Sequence, residues 1–154
     1  ANKEYYDEAR IEFNKVLLKH PNHLFTYDSL ASMEMYIKDP DAARGALESF
    51  FNKELKPNRK ILQVMLESNQ ERLKMAKTVE VCHQIRTELI DTQLSLYAKD
   101  KRHERLLEIA ELAISNDDFE TAEDNLERLL DRDDVPTDLH TEATARLKTL
   151  TQKD

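Results

Sequence analysis

The sequence predicts an all-α protein made of antiparallel helix-turn-helix repeats, and three observations carry that expectation. One glycine and four prolines occur in 154 residues, of which 35% are charged and 40% hydrophobic. Helices need few special backbone angles, whereas strand-rich folds use glycine at their turns, so this balance suits helices. Pro21, Pro57 and Pro136 each follow a run of helical periodicity, where a proline stops a helix cleanly. Finally, short groups of residues recur at fixed offsets along the chain.

The periodicity predicts helices over 3–19, 24–37, 40–55, 59–75, 78–98, 102–115, 118–132 and 138–152. The first lies in the amphipathic run YYDEARIEFNKVLLKHPNH, which begins at Tyr5 and closes in the turn His20-Pro21-Asn22-His23. The second carries Tyr27, Leu30 and Ala31, a large, large, small set that packs one helix against its partner. The third opens with Asp39 as N-cap and Pro40 in the first turn, where that amide needs no intrahelical partner. A break near Lys77 separates the fourth from the fifth, on the strength of Thr78 and its β-branched neighbours. The sixth repeats the packing set as Leu106, Ile109 and Ala110, and the seventh opens with Asp117 and Glu120 as a capping box. The eighth spaces Leu139, Ala143, Leu147 and Leu150 as the terminal cap that a repeat array requires.

The offsets organise these helices into pairs. Tyr6-Asp7-Glu8-Ala9 and Pro40-Asp41-Ala42-Ala43 lie 34 residues apart, and Phe119-Glu120-Thr121-Ala122 follows the second group by 79. Each alanine is the small residue at a close helix crossing, and Phe13, Leu47 and Leu126 follow by four on the same face. Tyr27, Leu30 and Ala31 match Leu106, Ile109 and Ala110 at the same offset of 79.

Tyr6-Asp7-Glu8-Ala9, Phe13, Val16 and Pro21, followed by Tyr27, Leu30, Ala31, Ala43, Leu47 and Phe50, resemble the tetratricopeptide repeat pattern. The resemblance covers 1–57 and 102–136 and is weak over 58–101. Ala31 and Ala110 stand where that family has glycine. The middle holds 79 residues where two repeats would occupy about 68, an excess of about three helical turns that keeps a buried stripe in phase. What the resemblance implies is a short right-handed α-solenoid: a partial repeat over 1–23, repeats over 24–57 and 102–136, a lengthened divergent repeat over 58–101, and a capping helix over 137–154. The missing first helix of the first repeat implies either an unusual start or a chain that is part of something longer, such as the regulatory or oligomerisation domain of a multidomain protein.

Two further patterns compete. Thr26-Tyr27-Asp28-Ser29-Leu30 with Leu55-Lys56-Pro57-Asn58 resembles a pentatricopeptide repeat, a family that reads single-stranded RNA; Ser29 and Asn58 fall near its base-reading positions. Ile61, Met65, Ser68, Arg72, Met75, Val79, Cys82, Arg86, Leu89, Gln93 and Leu96 keep coiled-coil spacing, but four polar positions interrupt the seam. That leaves self-association through the long middle helices as an expectation.

Charge and chemistry narrow the function. Twelve acids and four arginines fall between Arg102 and Pro136, a net of −8 that equals the charge of the whole chain. That segment repels a phosphate backbone and suits a basic protein partner. No apolar run approaches the ~18 residues of a membrane span, and the lone Cys82, expected in the core, excludes an internal disulfide. The sequence reads as a soluble protein of the cytoplasm or an organelle matrix.

Catalysis and cofactors are not expected. Gly45 alone builds no phosphate loop and is expected to allow close helix packing. Asp131-x-Asp133 with Glu142 lacks the glycine a calcium loop needs, because Pro136 occupies that place. His20 and His23 flank a turn with no further zinc ligand nearby.

The tetratricopeptide resemblance implies that the first helix of each pair lines a concave face. The expected contact residues are Phe25, Asp28, Ser29, Ser32, Met35 and Tyr36 on one helix, and Glu104, Leu107, Glu108, Glu111, Ile114 and Ser115 on another. Aromatic and thioether anchors on the first, with apolar residues ringed by acids on the second, suit a basic or amphipathic segment of a partner protein. Family members that clamp a C-terminal carboxylate use Lys, Arg and Asn at places held here by Asp28, Ser32, Leu107 and Glu111, which argues against that ligand.

Overall fold

A computed structural model describes residues 3–152 as eight helices. They are α1 (Lys3–Lys19), α2 (Leu24–Tyr36), α3 (Pro40–Phe51), α4 (Arg59–Met75), α5 (Val79–Asp100), α6 (His103–Ser115), α7 (Phe119–Leu130) and α8 (Thr137–Thr151). Among the described residues no strand forms. The chain divides into two compact units, Ala1–Met75 and Ala76–Asp154. The expected break near Lys77 is real: Met75 ends α4, and Thr78 caps α5 by accepting from the Val81 amide at 3.2 Å. The coiled-coil seam therefore does not run on as one helix.

In the first unit α2 and α3 form a hairpin, α1 packs on α2, and α4 packs on both hairpin helices. Its core gathers Tyr27 and Ala31 from α2, Ala43, Leu47 and Phe50 from α3, and Ile61 with Val64 and Met65 from α4. The Tyr27 and Phe50 rings meet edge to face at 5.3 Å. Tyr27 also explains the turn at Pro21, because its hydroxyl donates to the Pro21 carbonyl at 2.8 Å. In contrast α1 contributes no fully buried residue.

The second unit is built around the α6–α7 hairpin, with α5 packed on α6 and α8 on α7. Leu106, Ile109, Ala110, Ala122, Leu126 and Leu129 are all wholly buried in its core. Helix α8 buries Ala143 and lays Leu139, Leu147 and Leu150 against that core.

The two hairpins share one turn. Lys38 and Asp117 both adopt the left-handed region, with φ of 63° and 57°. The next amide closes the helix in each: Asp39 N–H donates to Glu34 O at 2.9 Å, and Asp118 N–H to Ala113 O at 2.8 Å. That same aspartate then caps the following helix through its side chain, accepting from Ala42 N at 3.0 Å or Thr121 N at 3.2 Å. Each of these positions repeats at the offset of 79.

Four local expectations are corrected. The capping residue of α7 is Asp118, not Asp117, since Asp117 is spent on the left-handed closure of α6. Helix α3 ends at Phe51 rather than 55, because the chain turns there and Glu54 takes φ of 56°, well before Pro57. Gly45 is exposed and a Cβ there would meet nothing within 4 Å, so no close helix approach depends on it. Cys82 is half-buried rather than a core residue, in an opening stretch of α5 where Val79 and Val81 are also exposed.

Candidate functional site

The expected contact residues fall into one set per unit. On α2, Phe25 and Tyr36 are 67% and 76% exposed, while Ser29, Ser32 and Met35 are half-buried. The Phe25 ring meets His23 edge-on, and Tyr36 lies 6.4 Å from Tyr6 of α1. Met35 packs against the core of its unit, so only its outer side faces solvent.

Asp28 does not belong to an exposed set. It is 3% exposed, accepts a hydrogen bond from Ser32 Oγ at 3.2 Å, and faces Lys60 Nζ of α4 at 3.4 Å. The reason is α4, which packs on α2 and brings a cation to that side of the helix. A buried carboxylate of this kind is stable only when paired and hydrogen-bonded, and both conditions hold.

A second buried acid in this unit escaped the sequence reading. Glu34 is 5% exposed and accepts from Arg10 Nε at 2.9 Å, with Nη2 at 2.8 Å. The hydrogen bond to Glu34 holds the Arg10 guanidinium above its ordinary pKa. Offset by 79, the matching residue is the wholly buried Ala113. The matching alanine marks the slot as interior, but the cation that meets the acid comes from α1, which the repeat spacing does not specify.

On α6, Glu104, Glu108 and Ser115 are exposed, whereas Leu107, Glu111 and Ile114 are half-buried. Leu107 and Ile114 pack on the core with their inner sides. Glu104 lies 3.7 Å from Arg102 Nε and 3.0 Å from His103 Nε2. Glu111 lies 3.0 Å from Nη2 of Arg146, which also meets Glu142 at 3.0 Å.

Behind Glu108 sits a polar clamp joining α5 to α6. Arg105, 7% exposed, donates to Asp100 at 2.8 Å through Nη2 and to Gln93 Oε1 at 2.8 Å through Nη1. Gln93 in turn donates through Nε2 to Glu108. Although Glu108 is exposed as a residue, its carboxyl lies against Gln93, and partial loss of water there raises it above its usual range; Arg105 opposes that shift and Glu111 adds to it. Tyr97 gives α5 a second anchor: Arg128 lies 4.7 Å from its ring centroid, and Arg132 donates to its hydroxyl at 2.9 Å.

Asn58, expected near a base-reading position, uses its side-chain oxygen to accept from the Ile61 amide at 2.8 Å, at the start of α4. Ser29 is half-buried. Among the described residues no group of three or more His, Cys, Asp and Glu is placed to hold a metal ion, and no helix is long and apolar enough to cross a membrane. No protein-family profile, curated protein or solved structure matches the chain.

Proposed function

We propose that this chain is a non-enzymatic protein-interaction module of the tetratricopeptide kind, serving as a scaffold or adaptor that holds a basic or amphipathic segment of a partner protein. In this reading the hairpins stack as a short right-handed solenoid, with α8 as its cap and the first helix of each pair on the concave side. The protein works in the cytoplasm or an organelle matrix. The observation that carries the reading is the outer face of α6, where Glu104, Glu108 and Glu111 border half-buried Leu107 and Ile114. Apolar anchors with an acidic border suit a helix that is apolar on one side and basic on the other.

The single-stranded RNA reading has less support. Asn58 is committed to capping α4, and the acids of 102–136 repel phosphate. Self-association through α4 and α5 loses the continuous seam it would use, since Met75 and Thr78 end one helix and begin the next.

Capture from a cell lysate, with and without nuclease, tests the proposal when the chain is compared with its Glu104→Lys, Glu108→Lys variant. One protein retained despite nuclease, and lost by the variant, is the expected result. Enrichment of defined RNA, or a captured protein indifferent to the charge reversal, would overturn it.

A further inference from the structure

Resting on that reading, we propose that the cleft between α6 and α8 is the anchor site for the partner helix: it receives one apolar side chain, while a neighbouring lysine or arginine binds Glu111 and Glu142. The cleft has a volume of about 290 Å³ and is lined by Ile114, Ala145, Arg146, Thr149 and Leu150. Ile114 and Leu150 lean on the core of the unit, so an apolar side chain entering here extends that core outward. Ala145 and Thr149 are exposed, which leaves the mouth open.

Charge complementarity selects the occupant. Glu111 and Glu142 share a single guanidinium nitrogen, Nη2 of Arg146, each at 3.0 Å. Two carboxylates on one cation leave the rim with net negative charge and spare acceptor capacity, since each carboxylate accepts several hydrogen bonds. Exposed Glu108 stands one turn before Glu111 on the same helix and extends the negative rim. A second cation brought by the partner balances the two carboxylates, whereas an acidic partner would add to an existing repulsion. The site is therefore specific for a helix with an apolar residue and a cation about one turn apart.

Fluorescence anisotropy tests the assignment, with a labelled helical probe of about 15 residues carrying leucines on one face and lysines elsewhere. Two control probes replace the lysines by glutamates, or the leucines by alanines. The lysine–leucine probe is expected to bind saturably, and each control roughly 30-fold or more weakly, the loss typical of removing an interface anchor. Ala145→Phe fills the cleft from an exposed position and is expected to weaken the probe to the same degree with an unaltered melting curve; Thr149→Phe serves as a second plug. If both plugged variants bind like the parent while Glu104→Lys, Glu108→Lys loses the probe, the cleft is not the anchor and the acidic-face reading survives. Absence of saturable binding by the lysine–leucine probe overturns the assignment, and lysate capture then decides the broader reading separately. A concentration-dependent dimer that Ala145→Phe converts to monomer also overturns it, because a second copy of the chain would be the occupant.

Discussion

The hairpins α2–α3 and α6–α7 use one backbone device and fill it differently. Left-handed Lys38 and Asp117, capping Asp39 and Asp118, and the buried alanine pairs Ala31/Ala110 and Ala43/Ala122 all correspond. Aromatic Tyr27 and Phe50 in the first become Leu106 and Leu129 in the second, and the paired acid Glu34 becomes Ala113. The acids differ most in placement. On α2, Asp28 and Glu34 turn inward to Lys60 and Arg10, whereas α6 keeps Glu104 and Glu108 at the surface, Glu104 beside Arg102 and His103 and Glu108 accepting from Gln93. A shared register thus dictates which positions form the interior, while neighbouring helices decide whether an acid is buried against a cation or keeps a face at the surface. The proposed contact face is accordingly stronger on α6 than on α2.

Exchanging the residue in the equivalent slot would break this comparison most severely. Ala113→Glu places a carboxylate at a wholly buried site, and the nearby Arg86 is already bonded to Ser115 O at 3.4 Å and Asn116 Oδ1 at 3.3 Å. A loss of about 3–5 kcal/mol is expected in denaturant unfolding, the scale of an unpaired buried charge. Next come Leu47→Ala and Leu126→Ala, each wholly buried at corresponding positions. Both are expected to cost about 2–5 kcal/mol, and a negligible effect at only one would show that the register fails there.

The ion pair sharpens the contrast at smaller scale. Arg10→Ala strands the buried Glu34 carboxylate and is expected to cost about 1–3 kcal/mol. Glu34→Ala should cost less, because it leaves only a partly exposed cation that still reaches Asp7 at 2.6 Å. Equal losses in thermal or urea melts would contradict the asymmetry. Smallest of all, Gly45→Ala is expected to stabilise by about 0.5–1 kcal/mol, since the site is helical, exposed and sterically open. A destabilised variant would mean that position 45 makes a contact in the folded chain.

Much of the helical frame was legible because it rests on spacing and punctuation. The offset of 79 identified Leu106, Ile109, Ala110 and Ala122 as interior residues, and Thr78 marked the start of α5. Interior alternatives between polar residues were not legible in this way. Asp28 reads as a surface acid until α4 supplies Lys60, and Glu34 reads as a surface acid until α1 supplies Arg10, because both partners come from other helices. The cap of α7 slipped by one since two adjacent aspartates both satisfy the local rule, and only the left-handed closure at Asp117 distinguishes them. Gly45 reads as a close-packing residue from its small neighbours alone, although its own position on α3 faces outward. The α6–α8 cleft had no signal in the sequence, because Glu111 and Arg146 meet only through folding.

In the proposed function the outer face of α6 holds the partner. Amide chemical-shift mapping of the whole chain during titration with the lysine–leucine probe measures it directly. Shifts concentrated at Glu104, Leu107, Glu108, Glu111 and Ile114, with Ala145 and Thr149 of α8, are the predicted result. Shifts confined to α7 or α3, with α6 unmoved through saturation, would contradict it.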